Sequence, residues 1–346
     1  MTTVEQTPKP SRSPWQLFYG AGHRLRYAYY QRRGRRLPRP VISVGNLHWG
    51  GGGKTPLVAS LAAHLRDMDL AVAVLSRGYK RKGRGVQVVS HGDGPLLGPS
   101  LAGDEPVLLA GEVRGVSLLV GEDRYEAGIH ALERLDPEPQ IFLLDDGFSH
   151  LRLRRDLDLL AFPSSDPFAG GRLFPGGRLR EPLSSASRAH GVLLTGSSGD
   201  PQAGKRLAEA LNPFGFRGQG FSSAVEVDRA ELSPGRDLPS GARVVLVSAI
   251  ARPELFLASA QEAGFEVVDE LRFPDHHDYP ERSRERIREV WSQSGADAVL
   301  TTSKDRVKLL GKLSLPMAQL PIRAVPETAF WSWFEGEVAR LLAMDF

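Results

Sequence analysis

The sequence predicts an α/β protein in which helices cover both faces of a parallel sheet, with a smaller α/β domain joined to it by a two-stranded linker. Short, continuous apolar runs alternate with helical patterns, which is typical of parallel sheets buried on both faces. A glycine-rich turn links the first such run to a helix that begins with Lys-Thr. A second series of strand and helix patterns begins near residue 243, after a Gly-, Ser- and aromatic-rich segment.

The spacing of apolar residues places the elements in order. Residues 15–33 have a helical pattern. The larger sheet has predicted strands at 41–44, 71–75, 86–89, 116–120, 141–144, 157–162 and 191–195, and helices at 55–66, 105–113, 123–135 and 201–211. The smaller set has strands at 243–248 and 298–302, and helices at 253–263, 281–294 and 329–344. The predicted organisation is an N-terminal arm and helix over 1–36, a core domain over 37–212, a linker over 213–240 and a smaller domain over 241–346.

The composition excludes several classes of protein. The chain of 346 residues has no cysteine, so disulfides, thiolate nucleophiles and cysteine zinc sites are excluded. No apolar run approaches the ~18 residues of a membrane-spanning helix, and no compact apolar leader begins the chain. We therefore expect a reducing, cytoplasmic location without a transmembrane helix.

The N-terminal arm concentrates positive charge. Residues 1–40 carry nine Lys and Arg against a single acid, a net charge of +8, whereas the whole chain has +3. Arginines beside aromatic side chains favour a helix on an anionic membrane surface. A helix packed on the domain with a basic rim is equally compatible, while no base-reading motif indicates a nucleic-acid partner. The candidate membrane residues are Trp15, Phe18, Tyr19, Arg24 and Arg26.

The glycine-rich turn has the composition of a phosphate-binding loop. It consists of Gly50, Gly51, Gly52 and Gly53, followed by Lys54 and Thr55. Its backbone N–H groups and the helix N-terminus suit phosphate oxygens, Lys54 suits the β and γ phosphates of ATP, and Thr55 suits Mg²⁺. The usual glycine six positions before the lysine is His48 here, so the motif is a deviant P-loop. This turn makes the predicted sheet P-loop NTPase-like.

A second motif ends another predicted strand with two acids. Asp145 and Asp146 follow an apolar run, the arrangement in which a carboxylate orients Mg²⁺ at the carboxyl edge of a sheet. Asp145 is the better magnesium candidate by position. Asp146 either supports Asp145 from a neighbouring position or is a ligand of a second group.

Two further acids begin a predicted helix. Asp104 and Glu105 follow a glycine, where carboxylates often serve only as helix caps. A kinase, however, needs a base for a hydroxyl proton, and Asp104 is a candidate for it. His276, in an Asp-His-His sequence, is a candidate to assist this base, while metal binding by that cluster alone is weakly indicated.

Arginines in glycine- or proline-containing segments are candidates to contact phosphate. Guanidinium groups form two-pronged contacts with phosphate oxygens and offset the charge of a transition state. The candidates are Arg77, Arg124 and, first among them, Arg180.

These segments together resemble the tetraacyldisaccharide 4'-kinase family of lipid A biosynthesis. The matching motifs run in order over nearly the whole chain: Val-Gly-Asn46, Gly-Gly-Gly-Gly-Lys-Thr-Pro56, Ser-Arg-Gly-Tyr79, Gly-Asp-Glu-Pro106, Asp-Asp-Gly-Phe148 with His150, Leu-Arg-Glu-Pro182, Phe-Pro-Asp-His276 and Thr-Ser-Lys-Asp305.

The resemblance implies a peripheral protein at the cytoplasmic face of the bacterial inner membrane. Its implied activity transfers the γ-phosphate of ATP to the 4'-hydroxyl of a lipid A disaccharide precursor, with Mg²⁺. Lys54 and Thr55 match the family's phosphate and magnesium contacts, Asp104 its base and His276 the support of that base. Arg77, Glu105, Asp145, Asp146, His150 and Arg180 fall on other active-site motifs. The implied membrane substrate favours membrane docking by the N-terminal helix.

The chain departs from the family pattern at three positions. Gly52 and His48 stand where Ser or Thr is usual, and Ser149 replaces a Gln. The alternative hypothesis is a P-loop NTPase switch or metallochaperone that couples nucleotide hydrolysis to a partner. The sequence indicates no oligomeric state.

Overall fold

A computed structural model describes residues 14–49, 53–197, 200–233 and 236–344, with side chains for all of these except 14–17 and 233. The helices are α1 (Pro14–Arg33), α2 (Lys54–Asp67), α3 (Pro99–Ala102), α4 (Asp104–Glu112), α5 (Arg124–Arg134), α6 (Ala203–Leu211), α7 (Pro253–Glu262), α8 (Glu281–Ser294), α9 (Ser303–Leu309) and α10 (Thr328–Leu342). The strands are β1 (Val41–Gly45), β2 (Val72–Ser76), β3 (Gln87–Ser90), β4 (Ser117–Val120), β5 (Ile141–Asp145), β6 (Leu157–Pro163), β7 (Gly191–Thr195), β8 (Gln219–Val227), β9 (Glu231–Ser233), β10 (Arg236–Asp237), β11 (Arg243–Ser248), β12 (Glu266–Arg272), β13 (Ala298–Thr302), β14 (Met317–Leu320) and β15 (Ile322–Pro326).

The larger sheet has nine strands in the order β15-β8-β7-β6-β1-β5-β2-β4-β3. Neighbouring strands run parallel except at the two edges, where β3 and β15 are antiparallel to β4 and β8. The predicted α/β fold class, with helices on both faces of a parallel sheet, is confirmed.

Both faces of this sheet are buried because its strands alternate between two apolar layers. Ile42 packs on one face in a cluster with Leu57 of α2 and Phe330 of α10. Val41 points to the other face and packs in a cluster with Ala127 of α5. Burying each large apolar side chain stabilises the fold by about 1.5–3 kcal/mol, so the helices are held firmly against the sheet.

The smaller sheet has six strands in the order β10-β9-β14-β13-β11-β12. β11, β12, β13 and β14 run parallel, and β9 and β10 form an antiparallel edge. Phe256 of α7 packs in a cluster on one face and Ile287 of α8 in a cluster on the other. This sheet is therefore a second α/β layer, as the sequence pattern predicted.

The C-terminal part of the chain returns to the larger sheet, which differs from the predicted boundaries. We expected 241–346 to belong to the smaller domain, but β15 pairs with β8 and α10 buries Phe330 and Phe334 against the larger sheet. The predicted linker over 213–240 is also divided, since β8 lies in the larger sheet and β9 and β10 in the smaller. Apolar spacing predicts that a helix is amphipathic, but it does not indicate which sheet the helix covers. The division into independent domains stays a prediction.

Candidate active site

The candidate site lies at the carboxyl edge of the larger sheet. β1, β5 and β2 are adjacent parallel strands, so the loops that follow them meet at one edge. Those loops begin with Asn46, Asp146 and Arg77, respectively. In open α/β sheets, ligands bind at this edge.

The predicted phosphate-binding turn lies between β1 and α2 in the sequence, and Gly53 is its last residue before α2. Gly53 has φ +70°, and a Cβ there would lie 3.0 Å from Thr195 Oγ1, so this position favours glycine. Lys54 begins α2, and its Nζ donates to Asp146 Oδ1 at 2.8 Å and to Asn46 Oδ1 at 3.1 Å. Thr55 is the next residue, at the helix end that favours anions. The predicted contacts of Gly50, Gly51 and Gly52 lie outside the described residues.

Arg180 reaches the same carboxylate from a distant loop. A bridge between His48 and Leu179 aligns the two segments, and the Arg180 backbone N–H donates to the Leu47 carbonyl at 2.8 Å. Its guanidinium then donates through Nη1 to Asp146 Oδ2 at 2.8 Å and through Nε to the Asn46 carbonyl at 3.0 Å.

The charges around Asp146 determine its ionisation. Burial opposes the charged form, but Lys54 and Arg180 outweigh it and hold the pKa of this carboxyl far below its usual range. Asp146 is therefore an anion that joins the lysine of the loop to the arginine.

Asp145 is a different kind of carboxylate. It is buried at the end of β5, and Ser76 Oγ donates to its Oδ2 at 3.0 Å. Burial raises the pKa of Asp145 to about 7, and the negative charges of Glu105 and Asp146 act in the same direction. The charge of Lys54 and the hydrogen bond from Ser76 act in the opposite direction.

His48, which departs from the usual loop pattern, packs as a buried side chain. Its Nε2 lies 2.7 Å from the Pro167 carbonyl, and its ring meets Phe162 edge to face. Burial lowers the pKa of His48 to about 4, so the ring is neutral near pH 7. The histidine therefore supports the loop through packing.

Asp104 is the first residue of α4 and not an N-cap. Gly103 precedes it at φ +97°, with its Cβ position 3.2 Å from the Gly78 backbone, so a side chain at 103 would be strained. Asp104 Oδ2 lies 3.2 Å from His276 Nδ1 and 3.0 Å from Lys308 Nζ. Burial alone would raise the pKa of Asp104, but the hydrogen bond from His276 and the charge of Lys308 lower it. The structure thus joins α4 to two groups of the smaller layer.

Arg124 and His150 form a neighbouring pair at the same edge. Arg124 is buried and donates from Nη1 to the Glu122 carbonyl at 3.1 Å, while the same atom lies 3.5 Å from His150 Nδ1. Burial lowers the pKa of Arg124 to about 10 and, together with the charge of Arg124, lowers that of His150 to about 3. Arg77 is exposed nearby and forms no hydrogen bond or ion pair with another residue of the described ranges.

Sequence reasoning missed four residues of this network. Asn46 and Glu181 lie inside motifs that were recognised, but their partners are far along the chain: the Asn46 carbonyl accepts from the Arg180 guanidinium, and Glu181 Oε1 accepts from Ser149 Oγ. Lys304 and Lys308 lie four residues apart on α9 and contact His276 and Asp104. The signal available in the sequence was the spacing of these two lysines, because residues four apart share one face of a helix.

Helix α1 packs on the loop that carries Arg180. The Tyr19 hydroxyl donates to the Arg180 carbonyl at 3.0 Å, and His23 Nε2 lies 3.1 Å from Glu181 Oε2. Tyr19 thus contacts the protein through its hydroxyl while 39% of the residue is exposed, and its membrane contact stays a prediction. Phe18 (77% exposed) and Leu25 (73%) face outward.

The described ranges contain neither a membrane-spanning helix nor a ready-made group of metal ligands. None of the helices there combines the length and apolarity needed to span a membrane. Within the same ranges, no group of three or more His, Asp or Glu side chains is arranged to hold a metal ion.

Comparison with known proteins decides the family. The family model described as tetraacyldisaccharide-1-P 4'-kinase matches residues 11–339. The chain belongs to this family. A tetraacyldisaccharide 4'-kinase of Geobacter sulfurreducens is 42% identical over 301 residues, covering 86% of this chain and 83% of the relative. One from Syntrophus aciditrophicus is 37% identical over 351 residues, covering 93% of each chain.

A solved structure extends the similarity to three dimensions. The crystal structure of an LpxK from Aquifex aeolicus, described as in complex with ATP, is 31% identical with a TM-score of 0.74, covering 95% of this chain and 98% of that one. The predicted family and the predicted enzyme class, an ATP-dependent kinase, are confirmed by these tetraacyldisaccharide 4'-kinase relatives.

Proposed function

We propose that this chain transfers the γ-phosphoryl group of ATP to the 4'-hydroxyl of a tetraacyldisaccharide 1-phosphate, with Asp104 as base. The observation that carries the proposal is the contact of Asp104 Oδ2 with His276 Nδ1 at 3.2 Å. The proposal is also supported by the lowered pKa of Asp104, which keeps this carboxylate ionised, and by Glu105, the next residue, whose negative charge acts on Asp145.

The transfer requires one proton movement and one bond exchange. As the acceptor oxygen bonds to the γ-phosphorus, its proton passes to Asp104 and the bond from that phosphorus to the β–γ bridging oxygen breaks, leaving ADP. The developing negative charge is offset by Lys54 and by the backbone N–H groups of the loop. Arg180 adds positive charge and keeps Asp146 in place through their hydrogen bonds.

The donor set also suits Mg²⁺, which would be held by Thr55 and Asp145. Both supply hard oxygen donors, and Mg²⁺ in kinase sites takes only one or two protein groups together with phosphate oxygens. The pKa of Asp145 is raised to about 7 first by burial and then by the charges of Glu105 and Asp146, which a divalent cation would offset. When bound, the ion neutralises phosphate charge.

Helix α1 would hold the enzyme on an anionic membrane at the cytoplasmic face of the inner membrane. Phe18, Leu25 and Tyr29 lie within about 40° of one another on a helix with ~100° per residue, and all three are exposed. Exposed arginines flank this apolar stripe, and Tyr19 and His23 hold the opposite side to the protein. Apolar side chains beside cations suit anionic headgroups and the acyl boundary.

The test is phosphotransfer from labelled ATP to the disaccharide 1-phosphate in detergent micelles, with and without Mg²⁺. We expect Asp104→Asn to lower kcat by about 10³-fold or more, because the base is lost. The matched control, Asp93→Asn, changes an exposed acid and should leave kcat unchanged. Label transferred at the wild-type rate by Asp104→Asn would remove Asp104 as the base. Acceptor-independent ATP hydrolysis by the wild type would support the NTPase switch instead.

A further inference from the structure

Two lysines of α9 surround the Asp104–His276 pair. Lys304 and Lys308 are four residues apart, so their side chains leave the same face of the helix. α9 follows β13 of the smaller sheet and packs against α4, which carries Asp104. The smaller layer therefore presents one lysine, Lys308, to Asp104 and another, Lys304, to His276 and Glu105.

Lys308 is the more unusual of the two because it is only 3% exposed. Its Nζ lies 3.0 Å from Asp104 Oδ2, donates to the His277 carbonyl at 2.9 Å and lies 3.9 Å from Asp305 Oδ1. The ring of Tyr279 completes its surroundings, 5.9 Å from Nζ. A buried ammonium needs negative partners, and Asp104 and Asp305 supply them.

The two carboxylate oxygens of Asp104 differ in their hydrogen-bond and ion-pair partners. His276 and Lys308 both bind Oδ2. No side chain in the described ranges donates to Oδ1 of this carboxylate. Oδ1 is thus the atom available to accept a proton from an acceptor hydroxyl.

Lys304 determines which nitrogen of His276 carries the proton. Its Nζ lies 3.3 Å from His276 Nε2, and an ammonium can only donate, so Nε2 is the acceptor. With Nε2 accepting from Lys304, a proton lies on Nδ1 and points to Asp104, while Asp275 Oδ2 lies 4.0 Å from the same Nε2. Glu105 and Asp275 each lie 3.6 Å from Lys304 Nζ and hold it in this position.

We propose that Lys308 and Lys304 are positioning residues for phosphoryl transfer: Lys308 keeps Asp104 ionised with Oδ1 directed at the acceptor, and Lys304 fixes the tautomer of His276. This inference rests on the proposed function, in which Asp104 is the base. Neither lysine touches the reacting atoms. Both act through the carboxylate or the imidazole that they bind.

The first experiment compares Lys308→Met with the wild type in kcat from about pH 3 to about pH 9, at saturating ATP and acceptor. Without the ammonium, the pKa of Asp104 should rise, so the acidic limb of the profile should move to higher pH. We expect kcat near neutral pH to fall about 10²-fold, with the KM for ATP unchanged because Lys54 is untouched. Lys312→Met, which changes an exposed lysine three residues beyond α9, is the matched control and should leave the profile unchanged.

A charge-rescue experiment separates electrostatics from packing. Lys308→Ala should regain part of its kcat when a primary alkylammonium is added, because the small cation can occupy the vacated space beside Asp104. Lys304→Met should lower kcat about tenfold without a change in the KM for ATP. This variant also tests the proposal if Lys308→Met does not fold, since Lys304 is nearer the solvent.

The outcomes separate this inference from the proposed function. A folded Lys308→Met variant with the wild-type acidic limb overturns the inference, and so does a loss confined to the KM for ATP. If Lys308→Met does not fold, wild-type kcat in Lys304→Met overturns it. An active Asp104→Asn variant would instead remove the proposed base itself. An inactive Asp104→Asn variant beside a wild-type-like Lys308→Met leaves the proposed function intact and removes only the role of the lysines.

Discussion

Arg180 and Asp146 form a two-pronged ion pair, with Nη1 2.8 Å from Oδ2, across 34 residues of sequence. Asp146 has φ +52°, a backbone conformation that non-glycine residues rarely adopt. The pair therefore holds an uncommon turn in place directly beside Lys54, which binds the other oxygen of the same carboxylate.

Replacing Arg180 should impair catalysis more than folding. In Arg180→Met, Asp146 and the Asn46 carbonyl lose their shared donor, so we expect kcat to fall by about 10²–10³-fold. Steady-state phosphotransfer kinetics measure this. The neighbouring exposed Arg178 provides the control, and Arg178→Met should keep wild-type kcat. Equal kcat values for the two variants would contradict the assignment.

Glu181 should stabilise the packing of α1 on the rest of the protein in a pH-dependent way. Burial opposes its ionisation, but His23 and Arg188 outweigh this and lower its pKa from 4.5 to about 2. A carboxyl with a lowered pKa stabilises the fold above its unfolded pKa, and this contribution is lost as the pH falls through the folded value.

We therefore expect Glu181→Gln to lower the free energy of unfolding by about 3 kcal/mol near neutral pH. The difference from the wild type should shrink as the pH falls from 4.5 toward about 2. Urea unfolding over this range measures it. Glu138→Gln, at an exposed ion pair with Arg39, should change little at any pH. A pH-independent deficit in Glu181→Gln would exclude the ionised carboxylate as its cause.

Replacing Gly103, before α4, and Gly111, inside it, with alanine should change the free energy of unfolding in opposite directions. Gly103→Ala places a Cβ at φ +97° against the Gly78 backbone, so we expect a loss of about 1–3 kcal/mol in unfolding free energy. Gly111→Ala, inside α4 with open space around it, should gain up to about 1 kcal/mol. Urea unfolding of both variants checks the signs, and a stabilised Gly103→Ala would show that the turn before Asp104 is unstrained.

The apolar stripe of α1 should contribute to lipid binding. Phe18→Glu combined with Leu25→Glu removes two exposed apolar side chains and adds negative charge, so binding to phosphatidylglycerol vesicles should weaken about tenfold or more. Vesicle co-sedimentation measures it. Leu255→Glu, at an exposed leucine of the smaller layer, is the control. Equal binding by both variants would show that α1 is not the docking helix.

The sequence predicted β1 to β7, β11 and β13 because these strands are short, continuous apolar runs, whereas β12, β14 and β15 were not predicted. The loops after β1 and β5 were predicted to hold one nucleotide; in the structure they are in contact through Lys54 and Asp146, and nucleotide binding there stays a prediction. Strand order is not encoded in such runs, so the adjacency of these two loops could be observed only in the fold.

The contacts that the sequence did not predict depend on burial and on long-range packing. Lys308 is buried, whereas lysines are usually exposed, and nothing in its local pattern distinguishes it. The roles of Tyr19 and Glu181 depend on how α1 crosses a loop more than 150 residues away. Periodicity indicates which side of a helix is apolar, but not what the helix meets.

The chain passes between its two sheets twice, and both passages lie side by side. It leaves the larger sheet after β8 and re-enters it at β15, where the Asp228 backbone N–H donates to the Pro321 carbonyl at 2.9 Å. The two connections between the sheets therefore lie at one place, and α4 and α9 provide a second contact between the layers. Because the Asp104–His276 contact joins α4 to the smaller layer, the separation of these two residues depends on how that layer packs against the larger one.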